Sequence, residues 1–146
     1  MTIKIIDYHM SYSEEVYQLF KNIYNDDIMA QKMTYKDLNM SFHISTKIAI
    51  YQKRVIGQSN IFCKKKLHYA NLGYHVAPQF QRKGIGKSLC ISALRDAIKQ
   101  NFTHFIIQTE KENGPAVKLA KSLGFSKFEA AFIKKHTIGF VRKITI

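Results

Sequence analysis

Cysteine is scarce in this sequence: Cys63 and Cys90 are the only two, 27 positions apart with no second pair. That excludes a disulfide scaffold and a zinc knuckle. Tryptophan is missing and proline occurs only at 78 and 115, so there is no linker to propose, and no repeat or low-complexity segment interrupts the chain. No apolar run approaches the roughly 18 residues of a membrane span. The opening Met1-Thr2-Ile3-Lys4-Ile5-Ile6-Asp7 lacks the apolar stretch and small-residue cleavage site of a signal peptide. The expected compartment is the cytoplasm, with no membrane partner.

Carboxylates are also missing where they would be noticed. Between Leu38 and Arg95 there is none, against ten Lys and Arg. Residues 1–37 carry four Lys and six Asp or Glu, whereas the remainder carries nineteen Lys or Arg against four acids, for a net charge of +13 overall. Such a field attracts phosphorylated cofactors, nucleic acid and acidic surfaces alike. The aromatic residues show no stacking-platform pattern, so the nucleic-acid expectation is weak, salt-sensitive binding only.

What is present describes one domain over residues 1–146. The chain is 46% hydrophobic and 23% charged, a globular composition long enough to bury roughly 68–70% of its unfolded surface. Thr2–Tyr8 alternates as a strand. Ser11-Tyr12-Ser13-Glu14 fits a capping box before Val16, Leu19, Phe20 and Ile23 at helical spacing. A looser helix is expected over Ile28–Phe42, with Thr34 a cap within it. Lys47–Tyr51, Val55–Phe62 and Leu67–Val76 read as an antiparallel meander. A helix from about Gly84 to Gln100, a buried strand over Thr103–Thr109, and a short helix between Asn113 and Gly124 follow. Strands around Phe125–Phe132 and His136–Ile144 finish the chain. The fold class is α/β: about seven strands in a mixed, mostly antiparallel sheet with about four helices, and one parallel pair across the strand–helix–strand crossing.

The chemistry concentrates in Gln81-Arg82-Lys83-Gly84-Ile85-Gly86-Lys87-Ser88. A turn between a strand and a helix aims backbone N–H groups at whatever lies before the helix, and glycines let a ligand touch the main chain. With Arg82, Lys83 and Lys87 around it, this is a site for a phosphate or pyrophosphate. The Walker spacing fails, and the dinucleotide fingerprint fails because Leu89 stands where its third glycine belongs.

Val76-Ala77-Pro78 followed by that turn resembles motif A of the GNAT N-acetyltransferases. Asn113-Gly114-Pro115-Ala116-Val117-Lys118-Leu119-Ala120-Lys121-Ser122-Leu123-Gly124-Phe125 resembles their motif B. The resemblance covers the whole chain and implies a sheet splayed at the parallel pair, where CoA binds. It implies acetyl-CoA as co-substrate, no metal, and direct transfer of the acetyl group to a primary amine, on a small molecule or a protein, in a ternary complex. A homodimer is compatible with it. By the same resemblance, Gln81, Arg82, Lys83, Gly84, Ile85, Gly86, Lys87 and Ser88 would hold the pyrophosphate. Val76 would pair with the pantetheine arm, Asn113 would hydrogen-bond the cofactor, and Gly73 would mark a bulge.

The catalytic groups do not carry over. Motif B has a Tyr where this sequence has Ala120, Gln108 stands where some relatives use Glu, and the strand Leu67–Val76 has no carboxylate. The candidate bases are therefore His75 and His68 and the candidate acids Tyr74 and Tyr69, with Glu110 and Glu112 near the same loop. Asp26-Asp27 is the densest acidic spot for drawing in a cationic amine. The alternative reading is a non-catalytic acyl-CoA-binding module of the same fold.

Overall fold

The structure is a computed structural model that describes residues 2–38, 43–63, 69–128 and 137–144. In chain order it contains β1 (Lys4–Asp7), α1 (Ser13–Tyr24), α2 (Asp27–Leu38), β2 (His43–Tyr51), β3 (Arg54–Phe62) and β4 (Ala70–Val76). Then come α3 (Ile85–Lys99), β5 (His104–Glu110), α4 (Gly114–Ser122), β6 (Ser126–Phe128) and β7 (Thr137–Lys143). The seven strands form one sheet in the order β1-β2-β3-β4-β5-β7-β6. Only β4 and β5 run parallel; every other neighbouring pair is antiparallel. The expected α/β architecture, with its single parallel pair across a helical crossover, is the one found.

Two layers of helix bury opposite faces of the sheet. On one, Val16, Leu19 and Phe20 of α1 and Ala30 of α2 pack on Ile48 and Val55, the stripe that 16, 19, 20 spacing prescribes. On the other, Cys90, Ala93, Leu94 and Ala97 of α3 meet Leu72, Phe105 and Phe140, joined by Ala120 and Leu123 at the end of α4. Small residues on α3 let that helix lie close. The gap is tight at Gly57 of β3, where a Cβ would stand 3.0 Å from Leu89.

One polar feature pins α3 to the sheet. The Lys47 ammonium, buried on β2, pairs with Asp7 of β1 and with Asp96 of α3 at 2.6 Å. Ser45 Oγ donates to the same Asp96 carboxylate at 3.3 Å.

Several sequence expectations shift locally. The capping box does not form: Ser11 bonds His9, through its hydroxyl at 2.9 Å and its backbone N–H at 3.1 Å to Nδ1. His9 thus caps a 3₁₀ turn over Met10–Tyr12, and α1 starts after it with no side-chain cap of its own. Thr34 lies inside α2 and donates to the Ala30 carbonyl at 2.7 Å, so it is no cap. Asp26 fills that role, accepting from Ile28 and Met29 N–H at 2.9 and 3.1 Å. β2 begins at His43 rather than Lys47. The far parts of the expected second helix, of the Leu67–Val76 strand and of the Phe125–Phe132 strand lie outside the described residues.

Candidate functional site

β4 is paired on one side and open on the other. Toward β3 its register runs continuously from Phe62↔Asn71 to Gly57↔Val76. Toward β5, among the described residues, it has only two matched pairs, Ala70↔Phe105 and Asn71↔Ile106. From Leu72 onward the two strands diverge, and the gap is a cleft of about 520 Å³. One wall is Leu72–Val76 and the other Ile107, Gln108 and Thr109, with Asn113, Ala116 and Leu119 closing it from α4. The unbroken β3–β4 register means that Gly73 marks no bulge. Its missing side chain makes room for Asn60, whose Oδ1 would lie 3.0 Å from a Cβ there.

At one end of the cleft stands the amino terminus of α3. Val76 leads into Ala77, whose N–H donates to the Ile56 carbonyl at 2.8 Å, and Pro78–Phe80 forms a 3₁₀ turn. Arg82 then takes φ +63° and Gly84 φ +81°, the left-handed region in which glycine carries no Cβ penalty. The first hydrogen bond of the helix runs from Ser88 N–H to the Gly84 carbonyl at 3.1 Å. The N–H groups of Ile85, Gly86 and Lys87 precede it and have no intrahelical acceptor. Those amides, the helix dipole and the cations of Arg82 and Lys87, which also line the cleft, make this end anion-seeking. At Gly86 the constraint is space rather than φ: a Cβ on it would stand 3.3 Å from the Tyr74 ring, which would have to yield slightly.

Most of the expected cofactor residues come together. Val76, Gln81, Arg82, Gly84, Ile85, Gly86, Lys87 and Asn113 all line this cleft. Lys83 and Ser88 are exposed and outside its lining, and the Ser88 N–H is engaged within the helix. Asn113 caps α4, its Oδ1 accepting Ala116 N–H at 3.2 Å, while it faces the cleft. α4 ends as its Gly124 predicts, with φ +84° and paired bonds from Gly124 N–H to Lys121 and from Phe125 N–H to Ala120 at 3.0 and 3.1 Å.

The catalytic candidates separate. Tyr74 lines the cleft, and its hydroxyl joins no side-chain hydrogen bond among the described residues. Burial, with Cys90 adding to it, pushes its pKa to about 12, so the hydroxyl keeps its proton at neutral pH. His75 also lines the cleft, but it lacks the open nitrogen a general base needs. Its Nδ1 lies 2.7 Å from Gln58 Nε2 and its Nε2 2.9 Å from Tyr24 Oη, and burial drops its pKa to about 4. Tyr69 sits against the His104 ring at 5.6 Å, outside the cleft lining. Glu110 and Glu112 are exposed loop-side residues outside it too. His68 lies outside the described residues.

Asp26 and Asp27 are engaged. Asp26 caps α2, while Asp27 accepts from Tyr17 at 2.6 Å and pairs with Lys21 at 3.2 Å, contacts that hold its carboxyl below the ordinary range. Gln58, Asn60 and Tyr24 were not singled out by the sequence. The signal that was there is three polar residues running through a strand otherwise made for burial. Among the described residues no helix is long and apolar enough to cross a membrane, and no cluster of His, Cys, Asp and Glu is arranged to hold a metal.

The sequence matches the model of the acetyltransferase (GNAT) family over residues 7–125. No curated protein matches it significantly. Among solved structures, an acetyltransferase of the GNAT family from Staphylococcus aureus is 20% identical with a TM-score of 0.78, over 99% of this chain and 100% of that one. A ribosomal-protein-alanine N-acetyltransferase from Brucella melitensis is 14% identical with a TM-score of 0.77, over 97% of this chain and 99% of that one. PaiA N-acetyltransferase from Thermoplasma acidophilum, solved in complex with coenzyme A, is 13% identical with a TM-score of 0.75, over 99% and 100%. The matched span runs from β1 past the anion-seeking turn and the split sheet to the glycine end of α4, and this chain belongs to the acetyltransferase (GNAT) family.

Proposed function

We propose that this protein is an acetyl-CoA-dependent N-acetyltransferase that passes an acetyl group to a primary amine by direct attack in a ternary complex. The observation that supports it most is the cleft itself, with α3's open amides and two cations at one end and an unpaired length of β4 along its wall. The pyrophosphate fits the N–H groups of Ile85, Gly86 and Lys87, with Arg82 and Lys87 balancing its charge. Gln81, Gly84 and Val76 shape that end, Asn113 offers a hydrogen bond, and Lys83 contributes at longer range. The unpaired backbone of Leu72–Val76 offers a strand edge to the pantetheine arm, and an N–H near Val76 polarises the thioester carbonyl.

Acetyl-CoA supplies an acyl group already activated as a thioester. This chain's residues hold it and leave the amine to lose its proton. His75, hydrogen-bonded at both nitrogens, does not take that proton; water does. Tyr74 supplies a proton to the leaving sulfur from the cleft wall facing α4, where Ala120 has no side chain to offer. The test is thiol release with acetyl-CoA across a panel of primary amines. It should be amine-dependent and should climb with pH toward the amine's own pKa, with no break near the ordinary histidine value of ~6.5.

One observation favours a second reading, a non-catalytic acyl-CoA-binding module. Ala120 is buried in the core, and Gln108 faces the cleft without a charge. Acetyl-CoA binding with no thiol release for any amine would select that reading.

A further inference from the structure

The split between β4 and β5 is backed by α3 and α4 on one face, so an acceptor comes to it from the other, the face that carries α1. His75 points to that face, edge-on to the Phe20 ring at 5.1 Å, and Ile23 of α1 lines the cleft with it. Across the split, Phe105 and Ile107 of β5 point the opposite way, into the core under α3. Strand alternation therefore puts Gln108 on the α1 face, facing His75 across the gap. Gln108 is exposed and lines the cleft, and its carboxamide has no hydrogen-bond partner among the described residues.

Among the described residues no carboxylate lines this cleft. Its charged lining is Arg82 and Lys87, both cations. Acids stand elsewhere: Asp7 and Asp96 pair with Lys47, and Asp26 and Asp27 are engaged at the start of α2. Glu110, two positions past Gln108, is exposed and outside the lining. His75 offers no lone pair. Asn60 Nδ2 donates to Gln58 Oε1 at 3.4 Å, which leaves the Gln58 NH₂ to donate to His75 Nδ1 at 2.7 Å. Nε2 then carries the ring proton and faces Tyr24 Oη at 2.9 Å. Tyr74, the other titratable group of the lining, keeps its proton. An ammonium group entering here meets neither a counter-charge nor a base.

We propose that the acceptor is a weakly basic primary amine, of the α-amino class, and that Gln108 is the specificity-determining residue that receives it. Its neutral Oε1 accepts an N–H of the amine without favouring the ammonium form as a carboxylate would. At pH 7 an α-amino group of pKa about 7.8 is roughly 14% neutral, and a lysine-type amine of pKa about 10.4 roughly 0.04%. The population gap is about 300-fold, and the greater nucleophilicity of the stronger base gives back only part of it. The C–N bond forms as the C–S bond breaks; the nitrogen's proton goes to water, and the leaving sulfur takes one from Tyr74.

The inference rests on the transferase reading above, and the test keeps the two apart. Alanyl-lysine carries both kinds of amine in one molecule, and NMR of the product with acetyl-CoA reads which nitrogen is acetylated. Butylamine is the second probe, and all rates are corrected for the enzyme-free reaction. Wild type at pH 7 should favour Nα over Nε by about tenfold or more. The ratio should fall about tenfold by pH 9, because the ε-amine gains neutral fraction faster. Gln108→Glu changes an exposed side chain and should stay folded by circular dichroism. It should cut the Nα preference about tenfold, by holding the ammonium and giving it a base. Glu110→Gln should leave the preference as it is.

Nε as the main wild-type product, or thiol release confined to butylamine, overturns this inference and leaves the transferase reading standing. An Nα preference that Gln108→Glu does not move, or that Glu110→Gln removes, overturns it too. Wild type that binds acetyl-CoA and releases no thiol with either probe or across the wider amine panel overturns both.

Discussion

Gln81 reaches back across the turn and donates its side-chain N–H to the Val76 carbonyl at 3.1 Å. The residue that opens the anion-seeking turn is thereby tied to the end of the open strand, so the two parts of the cleft are set relative to each other. Gln81→Ala removes that tie without touching the helix amides. Acetyl-CoA affinity is expected to fall about fivefold, the equivalent of one ordinary hydrogen bond near 1 kcal/mol. Calorimetric titration checks it, and full wild-type affinity would show that the tie does not matter to the cofactor.

Gly84 and Gly86 should fail in different ways. A Cβ at Gly84 meets nothing within 4 Å but inherits φ +81°, so Gly84→Ala should cost about 1 kcal/mol of stability. Gly86→Asp instead places a carboxylate among the α3 amides. That variant should remain folded by circular dichroism and lose measurable acetyl-CoA binding.

Asn113 has two duties that a single substitution can divide. Asn113→Asp keeps an acceptor for Ala116 N–H and should hold or improve the cap of α4. The added negative charge at the cleft should nevertheless weaken acetyl-CoA binding. Asn113→Ala should lower stability by about 1 kcal/mol through the lost cap. Thermal melts and titrations on both variants separate the roles; equal affinity in Asn113→Asp and wild type would leave only the cap.

His75 makes stability depend on pH in a definite direction. An unfolded chain's imidazole titrates near 6.5, the folded one near about 4. Between those values the unfolded state binds the extra proton, so the neutral ring's contribution is full above pH 6.5 and is lost progressively down to pH 4. The loss is about 3 kcal/mol in all. Urea denaturation of wild type against His75→Phe across that window should show the wild type falling more steeply, and parallel curves would refute the assignment.

Tyr74→Phe should leave acetyl-CoA affinity in place, because the ring still packs beside Gly86. Its kcat should fall about tenfold or more if the hydroxyl protonates the leaving sulfur. Wild-type kcat in this variant would remove Tyr74 from the reaction.

The fold was legible because its signals are local. The 16, 19, 20 stripe of α1, the glycine end of α4 and the turn before α3 each state their geometry in a few residues. The floor of the cleft was not legible in that way. Gln58 and Asn60 on β3, His75 on β4 and Tyr24 on α1 come from three separate stretches of sequence and meet only because β3 neighbours β4 and α1 covers that face, and hydrogen-bond partners across a sheet leave no periodic trace. His75 illustrates the limit from the other side. Its place beside Val76 could be read directly, but its engagement by Gln58 and Tyr24, and hence its lack of basicity, depends on packing. Ser11 and Thr34 failed as caps for a similar reason: the helical turns begin earlier in the chain, capped by His9 and Asp26.

The parting of β4 from β5 has a mechanical meaning. Among the described residues, Ala70↔Phe105 and Asn71↔Ile106 are the rungs that join a four-stranded half, β1 to β4, to a three-stranded half, β5 to β7. Past those rungs the two halves part like the jaws of a pair of tongs, with α3 packed across both against Leu72 on one side and Phe105 and Phe140 on the other. Of those rung residues Ala70 and Phe105 are fully buried, which clamps that end. Beyond it the jaws are spanned by side chains and by whatever lies between them, and a ligand that hydrogen-bonds the open edge of β4 would stiffen the whole sheet from within.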